Sequence, residues 1–186
     1  VMTRKELAEK LFFEGYACSQ AVVMAFSDLL NIETEQLKKI SLPFGGGIGR
    51  LRLTCGAASG LAIVLGLLLE TTDKALVYEI TRNLLEKVQA ANGSLICKEL
   101  LESKNVIAEI GGKPENRTQA YYDNRPCSII VYNTAKILEN YHDAKLVIAG
   151  RGGMIDELKA QVDSMGIGNK VYFTGYMDAK QVCKMY

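Results

Sequence analysis

The side chains with the widest chemical reach in this 186-residue chain are five cysteines, Cys18, Cys55, Cys97, Cys127 and Cys183, and one histidine, His142. A single histidine excludes a multi-histidine metal site, and a Cys–His or Ser–His catalytic pair would have to use His142 itself. No C-x-x-C occurs, which excludes a zinc ribbon, a thioredoxin motif and c-type haem attachment. Twenty-two basic against 21 acidic residues leave a net charge of +1, so nothing points to nucleic acid or an anionic membrane. With 48% hydrophobic residues the chain can bury a core, and its length suits one domain, or one domain and a piece of another.

Four of the cysteines fall where helices should begin. Thr3-Arg4-Lys5-Glu6 is a capping box that opens a helix ending near Phe13. A second helix is expected from about Ser19 to Leu30, which places Cys18 at its N-terminus. Thr34 can cap a third, ended by Pro43. Gly45, Gly46, Gly47 and Gly49 then make a loop of bare backbone, followed by Arg50 and Arg52. An apolar helix from about Cys55 to Glu70 comes next. Its uncharged stretch Leu53 to Leu69 lies at the lower edge of membrane-spanning length, but small residues open it and charges flank it. A buried central helix is therefore expected, and no membrane span. Asp73 caps a long amphipathic helix ended by Asn92-Gly93. Cys97 lies in the first turn of a short helix, residues 103–126 read as a long polar loop, and Cys127 opens a further helix to about Asn140.

Cysteines this widely spaced do not by themselves establish a site, and small buried hydrophobes are the plain alternative. Helix N-termini favour thiolate, however, and four cysteines near helix starts is a geometry that collects sulfur in one place. Arg50 and Arg52 could lower thiolate pKa values, or be solvated charges.

At this point the residues resemble a known family. Gly15-Tyr16-Ala17-Cys18-Ser19-Gln20, Phe44-Gly45-Gly46-Gly47-Ile48-Gly49-Arg50, Cys55-Gly56-Ala57-Ala58-Ser59-Gly60, Gly93-Ser94 with Cys97, and Cys127 are similar to the family called C_GCAxxG_C_C, over about residues 5–140. Ala17 stands where that family commonly has Asn. The resemblance implies a cysteine site and a redox role, and no particular reaction. The four cysteines would then act as dithiol/disulfide pairs, or as ligands of an iron–sulfur cluster or, less expectedly, zinc. With a cluster or an anion, Gly45, Gly46, Gly47, Gly49 and Arg50 would form a binding nest, and Gly56 and Gly60 would let helices approach closely. Members are small bacterial or archaeal proteins, often encoded near transporter genes.

After residue 140 the pattern changes to strand, helix, strand: Ala144–Gly150, Met154–Met165 and Lys170–Gly175. Ala144-Lys145-Leu146-Val147-Ile148-Ala149-Gly150-Arg151-Gly152-Gly153 and Phe173-Thr174-Gly175 resemble part of the C-terminal half of GT-B glycosyltransferases, with Gly153 where those enzymes often have Pro. That family's nucleotide-sugar residues fall outside the matched stretch, so no functional residue is carried over. A fused or truncated reading frame is the expected origin of the tail.

The expected fold is mainly α, a helical bundle around a buried apolar helix (55–70), followed by a short incomplete βαβ, Rossmann-like tail. The expected domains are a four-cysteine redox-type domain at 1–140 and a partial glycosyltransferase-like unit at 141–186. The leading function is redox or electron transfer through Cys18, Cys55, Cys97 and Cys127. The alternatives are a glycosyltransferase-like protein without a complete nucleotide-sugar site, and a transporter-associated module with structural cysteines. Expected partners are a redox partner, a transporter-associated protein or a second copy of the chain, with no nucleic acid, in the cytoplasm. Cys183 is expected to be a free thiol outside the set of four.

Overall fold

A computed structural model describes residues 2–142, 144 and 146–177. The chain divides into two compact units, residues 1–140 and 141–186. The first is helical: α1 (Arg4–Phe13), α2 (Cys18–Met24), α3 (Thr34–Ser41), α4 (Gly56–Leu68), α5 (Lys74–Asn92), α6 (Cys97–Glu102), α7 (Gln119–Asn124) and α8 (Cys127–His142), the last running two residues beyond the division. The second holds β1 (Leu146–Ala149), α9 (Ile155–Ser164) and β2 (Val171–Gly175). The protein is thus mainly α, with a short βαβ tail.

The elements start and stop for local reasons. The Glu6 carboxylate accepts the Thr3 N–H at 2.8 Å and opens α1. Asp73 accepts the Ala75 and Leu76 N–H groups and opens α5. Gly93, at φ 93°, closes that helix in the left-handed region. The second helix is shorter than its composition suggests. It ends at Met24, and the chain tightens into a 3-10 turn over Ser27–Leu29. The apolar run through this stretch belongs to a segment buried on every side, from Ser19 to Phe26, so it carries no face to mark a helix end.

The core forms where α2 meets α4. Gly60 leaves room for so close an approach that a Cβ there would stand 2.8 Å from the Ser19 carbonyl oxygen and 3.1 Å from the Val22 Cβ. Buried hydroxyl and amide groups then tie α2 to α3. Ser19 Oγ donates to the Ser41 carbonyl at 2.7 Å and Gln20 Nε2 to the Lys38 carbonyl at 3.0 Å. Both carbonyls belong to the last turn of α3; that of Lys38 also accepts the Leu42 N–H, and that of Ser41 is satisfied by the Ser19 hydroxyl. Phe12, Phe26, Leu37, Leu61, Leu65, Leu101 and Leu138 fill the surrounding space and are fully buried. The apolar helix is central at its start but not throughout, for Gly66 and Leu67 are exposed. Among the described residues no helix is long and apolar enough to cross a membrane.

In the second unit β1 and β2 pair in parallel, Leu146 opposite Val171 and Ile148 opposite Phe173. The sequence reads β1 as a buried-type strand. The structure leaves Leu146 and Val147 exposed, because among the described residues this sheet has two strands and one intervening helix to cover it. The glycines at 150–153 make the turn out of β1, and the Gly150 N–H bonds to the Gly175 carbonyl at 2.7 Å.

The packing predicts opposite outcomes for two glycines of one helix. Gly60→Ala presses a methyl group on backbone and should cost about 1–3 kcal/mol. Gly66→Ala meets open space and should gain about 0.5–1 kcal/mol. Urea-denaturation midpoints of the two variants check this, and equal shifts would refute the close contact.

Candidate functional site

Cys18, Cys55, Cys97 and Cys127 line one cavity of about 330 Å³. Each arrives at the start of a helix. Cys18 is the first residue of α2, Cys97 of α6 and Cys127 of α8, and Cys55 is the residue that caps α4. The α2–α4 contact brings the first two together: a Cβ on Gly56 would stand 3.2 Å from the Cys18 Cβ. Backbone bonds bring Cys55 and Cys97 together. The Cys55 N–H bonds to the Leu95 carbonyl at 2.8 Å, the Cys97 N–H to the Leu53 carbonyl at 2.7 Å and the Lys98 N–H to the Arg52 carbonyl at 3.1 Å.

The glycine loop is a left-handed turn. Gly46, Gly47, Ile48, Gly49, Arg50 and Arg52 all have φ between 56° and 73°. For Ile48, branched at Cβ, this region is strongly disfavoured. The loop satisfies itself: the N–H groups of Ile48, Gly49 and Arg50 bond to the carbonyls of Phe44, Pro43 and Gly45. Those three are therefore directed at carbonyls of the loop and not at a ligand. Gly47 has a second reason to lack a side chain, since a Cβ there would lie 2.6 Å from the Cys97 Cβ. Of the residues singled out from the sequence, Gly45, Gly46, Gly47, Gly49, Arg50 and Gly56 line the cavity beside the four cysteines. Gly60 does not, and serves the helix contact instead.

The other wall comes from the stretch read as a loop. Its polar composition hides α7, whose signal is Thr118, the side chain that accepts the Tyr121 N–H. Glu115, Arg117, Tyr121 and Arg125 line the cavity and were not singled out from the sequence. Tyr121 lies between two guanidinium groups, Arg117 at 4.6 Å and Arg125 at 4.5 Å from its ring centre. Arg50 and Arg52 hold this stretch in place through Nε bonds of 2.8 Å to the Gly111 and Glu109 carbonyls. Arg52 is buried, so it is not the solvated charge its sequence context allows.

The four thiols are not equivalent. Cys18 donates its S–H to the Cys127 sulfur, which lowers the Cys127 pKa; Arg125, Arg117 and Arg52 lower it further, against the opposing effect of burial. The same bond, together with burial, raises Cys18 well above the ordinary thiol range. Burial pushes Cys55 up to about 12. Burial also raises Cys97, although the neighbouring Arg52 pulls the other way. Cys18 and Cys127 keep partial exposure, whereas Cys55 and Cys97 are buried. All four are free thiols. Among the described residues no three of His, Cys, Asp and Glu form a group that could hold a metal ion. His142 sits at the opposite end of α8 from Cys127, about 22 Å along the helix axis. Cys183 lies outside the described residues.

The fold and this cavity define an α-helical protein that gathers four thiols beneath a cluster of arginines. Residues 16–141 match the family model described as "Putative redox-active protein (C_GCAxxG_C_C)", and the chain belongs to that family. Residues 127–186 also match the model for "Glycosyl transferases group 1", so the two matches overlap within α8 and the second covers only the C-terminal stretch. No curated protein and no solved structure matches the chain.

Titration should separate the thiols. Iodoacetamide should modify Cys127 first, with a rate midpoint below that of a free thiol, read by mass spectrometry across pH. Cys55 keeps its proton in the folded chain, while the unfolded chain ionises near the ordinary value of 9.0. Its contribution to stability is therefore present below that value and lost as pH rises from about 9 towards about 12. Cys127 has the opposite sign: its contribution is present above the ordinary thiol value and fades as pH falls through its lowered one. Cys55→Ala should flatten the alkaline loss of stability, and an unchanged slope would contradict the assignment.

Proposed function

We propose that residues 1–140 are a dithiol redox domain whose working pair is Cys18 and Cys127. The observation that carries this reading is that four free thiols meet at one cavity, and of these Cys18 and Cys127 keep partial exposure; their mutual interaction lowers the pKa of Cys127 and raises that of Cys18. Such a pair divides the labour of thiol–disulfide exchange. Cys127, as thiolate, attacks the oxidant. Cys18 holds its proton until a mixed disulfide forms and then displaces the second group. Overall two thiols become one disulfide, with two electrons and two protons leaving.

Cys55 and Cys97, more deeply buried and held side by side by backbone bonds, form a second pair that can pass electrons to the first by exchange within the cavity. Four thiolates could in principle hold an iron–sulfur cluster. The dithiol reading is preferred because no three donors stand grouped for a metal ion among the described residues. Cytoplasmic placement agrees with four free thiols, since that compartment keeps thiols reduced.

The experiment is reversible oxidation followed by peptide mapping. A Cys18–Cys127 disulfide should form first and reopen with dithiothreitol. Cys127→Ser should slow oxidation by about 100-fold or more, and Cys18→Ser should trap a mixed disulfide on Cys127. Iron and acid-labile sulfide in anaerobically purified protein, bound by these cysteines, would sink the dithiol reading in favour of a cluster.

A further inference from the structure

Glu115 is the one acidic residue lining the cavity among the described residues, and three guanidinium groups converge on it. Arg125 Nη2 meets both of its oxygens at 2.6 Å. Arg50 and Arg52 stand farther off, at 3.7 Å and 3.8 Å, too long for hydrogen bonds. Arg117 is a fourth cation in the same wall. The positive charge is therefore in excess, and part of it is buried. The Arg52 side chain is 3% exposed. Its Nη2, and Nη1 of Arg117, are buried and make no hydrogen bond. The Arg52 Nε bond goes to the Glu109 carbonyl and another neighbour of Arg52 is the Cys97 thiol, whose pKa burial raises, so neither brings a full countercharge. Buried guanidinium groups left this way are costly unless an anion completes them.

The carboxylate that partly does so is poorly suited to stay. Glu115 is 41% exposed and rides on irregular chain beyond Gly111-Gly112 and Pro114. It stands at the edge of the cluster, close to Arg125 and distant from the two other arginines. A small anion from solution could take its place and reach Arg52 as well.

We infer that the arginine cluster is a receptor for the carboxylate group of a small anionic disulfide, which displaces Glu115 and brings its sulfur to Cys127. This rests on the dithiol reading and names its substrate class. A volume of about 330 Å³ suits a molecule of that size. In the reaction, Cys127 thiolate attacks one sulfur of RS–SR and forms Cys127–SR, and RS⁻ leaves beside the guanidinium groups that stabilise it. Cys18 passes its proton to that RS⁻, giving the first RSH, and its thiolate attacks the Cys127 sulfur of the mixed disulfide. The Cys18–Cys127 bond forms and a second RS⁻ leaves, which takes from water the proton that Cys127 released on ionising, so two electrons and two protons have passed from the protein to the substrate, which ends as two RSH.

Three matched disulfides test this: dithiodiglycolate (anionic), bis(2-hydroxyethyl) disulfide (neutral) and cystamine (cationic). Each rate is divided by that of the same disulfide with a neutral small thiol. The reduced protein should favour the anionic over the neutral reagent by about tenfold or more, and disfavour the cationic one. Glu115→Gln should raise the anionic-to-neutral ratio, and Arg50→Met and Arg52→Lys should lower it in protein shown to be folded by its thermal melt. A ratio near one in the wild type, or a ratio that Glu115→Gln leaves unchanged or lowers, overturns the inference while the dithiol reading stands. If the neutral disulfide also fails to produce a Cys18–Cys127 bond, both fall together.

Discussion

The contact on which the rest of the helical unit depends is the meeting of α2 and α4 through the glycines of the latter. Two helix backbones can approach this closely only where one of them has no side chains. The approach has a geometrical result beyond packing. It sets the beginnings of both helices side by side, and each beginning carries a cysteine. Gly47 repeats the device at Cys97, where a glycine again makes room for a sulfur-bearing residue. Absence of side chains at chosen positions gathers the sulfur, and the apolar core below holds the arrangement.

Two opposed fields then act on that sulfur. Burial favours the neutral thiol everywhere in the cavity, while the guanidinium groups favour thiolate near one wall. Burial wins at Cys55 and Cys97. At Cys127 the arginines and the Cys18 hydrogen bond win together. One cavity thus holds a thiol whose pKa is lowered beside others whose pKa is raised.

Much of this was legible in the sequence where the signal was local. Asp73 and Gly93 bracket the fifth helix, through a side-chain cap at one end and a left-handed residue at the other. The change of pattern near residue 140 coincides with the division into two units. What escaped notice was long-range or ran against propensity. Glu115, Arg117 and Arg125 look like ordinary polar loop residues until Tyr121 and the glycine turn are placed against them. The sequence pattern runs on past the end of the second helix at Met24, because a segment buried on all sides has no face to show where it ends. Nothing local announces that Ile48, Arg50 and Arg52 adopt left-handed backbone, since residues of these types avoid it.

That left-handed turn also bears on how the molecule comes apart. A backbone held in a disfavoured conformation, at a cost of order 1–3 kcal/mol per non-glycine residue, persists only while its surroundings enforce it. Here the enforcement comes from the loop's own backbone bonds and from side-chain bonds to an irregular stretch with little core of its own. Regions of this kind open at lower free energy than the helices beneath them. The sulfur site and the fold are therefore separable in stability: local opening at residues 46–52 would withdraw Arg50 and Arg52 and let water reach the thiols while α2 and α4 stayed packed.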